Sequence, residues 1–168
     1  MQHFMLKHSI VAAGIMLFAA ASPAAAHGTE AHAKKAKGAP KEQTAWGVAG
    51  DSADVANTVD VRMADTMRFS PDRLTVRVGQ TVRFVIANEG KLLHEFVIGT
   101  RPVLDEHAAL MRRFPTMEHD EPYMAHVEPG QRDEVVWKFN RAGEFLFGCL
   151  VAGHYEAGMV GRIIVVAD

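Results

Sequence analysis

From Thr58 onward the chain is written in short runs whose apolar residues fall on every second position and which stop at Gly, Pro or Asn. Val59 and Val61 begin the series, followed by Leu74, Val76 and Val78 up to Gly79, then Val82, Phe84 and Ile86 up to the turn Asn88 to Gly90. Phe96 with Ile98, then Val135, Trp137 and Phe139, then Phe145 with Phe147, and the ending Arg162 to Val166 continue it. Successive side chains of a strand point to opposite faces, so a period of two marks a strand with one buried face. Seven such runs with turn signals between them predict an all-β chain folded as a β-sandwich, with the alternating residues as its core.

One stretch breaks the rhythm. Between Pro102 and Pro115, Leu104, Ala108, Leu110 and Met111 recur at helical spacing, which predicts a short helix over Val103 to Arg113 inside an inter-strand excursion that runs to about His126. Excursions longer than about 12 to 15 residues are uncommon in compact domains and often carry function.

The region before Thr58 has a different texture. Residues 1–26 read as a secretory signal peptide: basic Lys7, an apolar run from Ile10 to Ala21, then Ser-Pro-Ala-Ala-Ala. The apolar run is too short to span a bilayer, which needs about 20 residues, so no membrane insertion is expected after its removal. Residues 27–57, rich in Ala, Lys, Gly, Glu and His, read as a flexible linker, and residues 58–168 as the folded domain. Removing Lys7 with the signal leaves 17 basic against 20 acidic residues, a mild negative balance that argues against a nucleic-acid partner. A single cysteine excludes an intramolecular disulfide.

That cysteine, Cys149, ends an alternating strand, and His154 and Met159 lie on the loop after it. A thiolate, an imidazole and a weak thioether belong to the ligand set of a type 1 copper site, which also needs a second histidine. His94 is the strongest candidate because it opens an alternating strand and can reach the same end of the sandwich; His107, His119 and His126 compete from within the excursion.

With "GEFLFGCLVAGHYEAGM", the upstream "LLHEFVI" and the strand "LTVRVGQTVRF", residues 58–168 resemble the cupredoxins, blue-copper proteins built on a Greek-key sandwich. The resemblance implies one type 1 copper held by His94, Cys149, His154 and Met159, with His154 nearest solvent and framed by Leu150, Val151, Ala152 and Ala157. It also exposes a departure: many members carry Asn after the first histidine, where this chain has Glu95.

These features exclude most chemistries. Four protein donors leave no open metal position for a substrate, and there is no second cysteine for a dinuclear copper-thiolate centre, so the chain is expected not to be an enzyme. The expected role is copper tolerance with redox activity in the bacterial periplasm; one-electron carriage is the alternative, and a copper oxidase or reductase domain a minor one. The expected partner is a periplasmic redox or copper-handling protein. A candidate second copper site is read from Met111, Met117, His119, Met124 and His126 in the excursion, and from His27, which cleavage after Ala26 leaves as the new N-terminus and cleavage after Ala24 leaves in an Ala-Ala-His start.

Overall fold

The period-two runs are strands. The computed structural model describes residues 41–117 and 119–167; the expected signal peptide, His27 and residues 27–40 of the expected linker lie outside the described residues. In chain order the elements are β1 (Val48–Ala49), β2 (Val55–Ala64), β3 (Arg68–Ser70), β4 (Arg73–Arg77), β5 (Thr81–Asn88) and β6 (His94–Gly99). The helix α1 (Arg101–Arg113) follows, then β7 (Met124–Val127), β8 (Arg132–Lys138), β9 (Gly143–Gly148) and β10 (Val160–Val166).

They form two five-stranded sheets, ordered β1-β8-β5-β2-β3 and β4-β10-β9-β6-β7. The chain passes from one sheet to the other at β3–β4, β4–β5, β5–β6, β7–β8 and β8–β9. β2 runs parallel to β5, and β4 parallel to β10; the other pairings are antiparallel. The expected alternating residues fill the space between the sheets, with Phe96 5.2 Å from the rings of both Phe84 and Phe147. Each such side chain contributes about 1.5–3 kcal/mol by leaving water. Gly161 of β10 is glycine because a Cβ there would lie 2.1 Å from Cζ of Phe147.

The boundary at Thr58 needs correction, because the packed fold begins upstream of it. Trp46 is buried, its carbonyl accepts a 3.0 Å hydrogen bond from Nε1 of Trp137, and its ring meets Tyr123 edge-on at 5.1 Å. β1 then pairs with β8 and closes one edge of the first sheet. A lone tryptophan in a polar stretch carries enough apolar area to anchor it.

α1 forms as its sequence dictates. Pro102 sits in the first turn, Arg112 and Arg113 in the last, and Leu104, Ala108 and Met111 make one buried stripe at spacings of four and three. The stripe packs on the outer face of the second sheet, against Val97, Met124, Leu146 and Leu150. Every residue of β6 is therefore buried: His94, Phe96 and Ile98 face the sandwich, while Glu95 and Val97 lie under the excursion. The excursion's last residues are themselves a strand, since β7 pairs with β6 in the register Glu95↔His126 and Phe96↔Ala125. Among the described residues no helix is long and apolar enough to cross a membrane.

Candidate metal centre

His94 opens β6 on its inward face and is fully buried; Cys149 follows the last residue of β9 and is equally buried. The loop after Cys149 folds back on itself through Cys149 N–H to Met159 O at 3.1 Å and Met159 N–H to His154 O at 3.0 Å. This fold-back returns the half-buried His154 ring to Cys149. Sγ of Cys149 lies 3.3 Å from Nδ1 of His154 and 3.8 Å from Nδ1 of His94. Metal–nitrogen and metal–sulfur bonds of about 2.0 and 2.3 Å at trigonal angles separate the donor atoms by about 3.7 Å. The three atoms thus fit one ion. Met159 is fully buried in the same core cluster as Cys149, and its backbone is bonded to both Cys149 and His154.

Cys149 shows why a cation suits this place. Burial pushes its thiol up to about 12, against the weaker opposing effect of the Glu95 and Val151 N–H groups. The Glu95 N–H donates to Sγ at 3.3 Å, an interaction that serves a thiolate better than a thiol. A bound metal ion deprotonates a coordinating thiol outright and supplies the charge that burial otherwise opposes. His154 has its pKa lowered, by burial and then by the His94 ring, so it is ready as a neutral ligand.

The residue that aims His94 was not evident from sequence. Asp65, in the tight turn between β2 and β3, lies 3.1 Å from Nε2 of His94 and leaves Nδ1 facing the sulfur. The same carboxylate accepts N–H bonds from Lys91 and, more weakly, Leu92, and the Lys91 bond is the largest cause of its lowered pKa. Gly90 is glycine because a Cβ would lie 2.1 Å from Oδ1 of Asp65. From the opposite side the buried Asn88 side chain donates to Leu92 O and Val127 O, each at 2.8 Å. Asp65 lies 29 residues before His94 in a stretch without periodicity, and no sequence signal identifies it.

The Cys149–Met159 loop is clamped from both flanks. Tyr155 donates to Asp105 of α1 at 2.8 Å, Arg112 of α1 pairs with Glu156, and Arg68 of β3 donates to Ala157 O at 3.0 Å. One expectation about its surface fails: Leu150 is buried beneath α1 and cannot frame His154. Ala152 and Ala157 are exposed on the loop as expected, and the large exposed apolar residues near the centre are Leu92 and Leu93, just before His94.

The expected second site also comes out differently. Met111 and Met124 are buried in the apolar cluster under α1, and Met117 packs against it, so these methionines serve as packing. Their spacing suits a helix face and a two-faced strand as well as a ligand set. His119 and His126 do come together, and with them Glu95, the residue that stands where asparagine was expected. His107 joins through Nε2, 2.9 Å from Nε2 of His119.

Residues 53–166 match the family model described as copper binding proteins, plastocyanin/azurin family. The chain is 47% identical to the "copper-resistant cuproprotein CopI" of Rubrivivax gelatinosus, over 89% of this chain and 90% of that protein. It is 32% identical to the CopI of Pseudomonas aeruginosa, over 96% of each. Among solved structures, a reduced auracyanin from Roseiflexus castenholzii superposes with a TM-score of 0.58 at 19% identity, covering 67% of this chain and 98% of its own. At that identity the likeness speaks for the fold alone.

Proposed function

The chain belongs to the plastocyanin/azurin family of copper-binding proteins, and on that premise we propose that it is a periplasmic type 1 copper protein of copper tolerance, ligated by His94, Cys149, His154 and Met159. The observation that carries the site is the meeting of His94 Nδ1, Cys149 Sγ and His154 Nδ1 at separations suited to one ion. The tolerance role follows the name of the Rubrivivax gelatinosus and Pseudomonas aeruginosa relatives, matched along nearly their whole length.

When bound, copper supplies one-electron chemistry between its cuprous and cupric states. The residues around it hold their positions through that change. Asp65 fixes the His94 ring, the Glu95 N–H meets the sulfur, and α1 and β3 restrain the ligand loop. With four protein donors filled, no position remains for a substrate, which supports binding and electron exchange over catalysis at this centre. The basic, apolar and alanine-rich segments of residues 1–26 support export to the periplasm.

Electron carriage is the second reading. Leu92 and Leu93, 47% and 37% exposed on the turn before His94, provide the modest apolar surface that a transient redox partner uses. A deletion strain separates the two: sensitivity to excess copper with normal respiration supports tolerance, whereas impaired respiration with unchanged copper sensitivity overturns it in favour of carriage.

A further inference from the structure

The outer face of β6 carries a second set of metal-binding atoms, one strand-width from the first. Glu95 and His126 are direct cross-strand partners there, with Oε1 3.2 Å from Nε2. His119, between α1 and β7, brings its ring to 5.1 Å from that of His126. One donor atom each from Glu95, His119 and His126 lies within 4.8 Å of the other two. α1 adds His107, whose Nε2 is 2.9 Å from Nε2 of His119.

Two details go beyond a chance meeting of polar groups. Glu95 is only 2% exposed, and among the described residues its Oε2 has no hydrogen-bond partner. An ion pair with His126 uses Oε1 alone, so a buried acceptor is left over at a cost that native structures rarely leave unexplained. His119, in turn, is oriented as a ligand: Nδ1 lies 3.1 Å from the Met117 carbonyl, to which it donates, so the Nε2 facing His107 carries the lone pair. Two nitrogens 2.9 Å apart also fit metal bonds of about 2.0–2.1 Å at about 90°, the angle of a tetragonal ion.

We propose that Glu95, His107, His119 and His126 form a second metal site, distinct from the cysteine centre, which takes a divalent ion and prefers Cu(II) to Zn(II). The donor set supports this choice. Three imidazoles and a carboxylate suit borderline divalent ions; the soft donors that would favour Cu(I), Met111 and Met124, are spent on packing. Among divalent ions such ligands bind Cu(II) most tightly. Asp120 and Asp133 add negative potential at His126. The proposal stands on this geometry and does not depend on the copper-tolerance reading.

The test is titration of the purified full chain with Cu(II) alone, followed by electron paramagnetic resonance. The wild type is expected to show, beside the narrow hyperfine pattern of a thiolate centre, a wide pattern from a nitrogen–oxygen site. His119→Ala and His126→Ala are each expected to lose one bound equivalent and that wide component, while their thiolate-to-copper absorption shows an intact fold. Equal stoichiometry in wild type and both variants overturns the proposal, and displacement of the wide signal by equimolar Zn(II) overturns the preference for Cu(II). Should either variant fail to fold, the wild type decides: with Cu(I) in the cysteine centre, Zn(II) is expected to shift the ring proton resonances of His107, His119 and His126, saturating at one equivalent. Unmoved resonances overturn the site.

Discussion

Loading the cysteine centre should release one proton per ion, and its size as a pH effect follows from the burial of Cys149. With the thiol pushed up to about 12, the metal-free protein holds S–H throughout the neutral range, and an entering ion must displace that proton. At pH 7, five units lower, apparent affinity is about 10⁵-fold below that of the free thiolate, about 7 kcal/mol at 1.36 kcal/mol per unit. It should therefore rise about tenfold per pH unit from 7 to 9, a window in which His154, its pKa lowered from 6.5, has no proton to release. Stability of the metal-free protein runs the other way. A folded-state pKa above the usual 9.0 means full stability below pH 9, lost as pH rises toward 12, by up to about 4 kcal/mol. Co(II), a redox-silent probe with a thiolate charge-transfer band, can be competed against a chelator at pH 7, 8 and 9, with calorimetry in buffers of different ionisation heat counting protons. An affinity that does not change with pH, with no proton released, would refute the reasoning, because the sulfur would then already be ionised.

Three further substitutions test the frame around the centre. Asp65→Ala removes the group that aims His94, and chelator competition should show copper affinity reduced about 10- to 100-fold in a protein that remains folded. Leu104→Ala empties a fully buried position between α1 and the second sheet, and urea denaturation should register a loss of about 2–5 kcal/mol. Gly161→Ala drives a methyl group into the Phe147 ring, and the melting temperature should fall in line with an overpacking cost of about 1–3 kcal/mol.

Strands that present one face to the core announce themselves by alternation, which is why β2, β4, β5, β6, β8, β9 and β10 were legible as a sequence pattern. The missed strands give no such signal. β1 has two residues, and β3 has a single inward side chain, Phe69. β7 is covered on both sides, with Ala125 and Val127 inward and Met124 under α1, so "MAHV" reads as an irregular tail. The same two-sided burial explains the site residues. Cys149, His154 and Met159 were readable because one loop carries all three, and His94 because it opens a one-face pattern. Asp65 and Glu95 act through tertiary neighbours far away in sequence, and a carboxylate in a polar turn or after a histidine looks no different from a solvated one.

The excursion is what makes Glu95 chemically unusual. In a sandwich with one bare sheet, the residue after His94 would point into water, where a carboxylate needs no partner. Here α1 and the segment that follows it lie over that face, so the side chain of Glu95 is buried among histidines while its own N–H donates to the sulfur of Cys149 on the other side of the strand. α1 also holds the ligand loop through Tyr155 and Glu156. Any force on the Glu95 carboxylate therefore acts on a peptide unit whose N–H touches the Cys149 sulfur, and hydrogen bonds to a coordinating sulfur tune a blue-copper centre. Glu95→Gln keeps the N–H but removes the charge, so a shift of the thiolate-to-copper band in that variant would measure how strongly the outer face speaks to the inner one. An unchanged band would show that β6 insulates the two faces from each other.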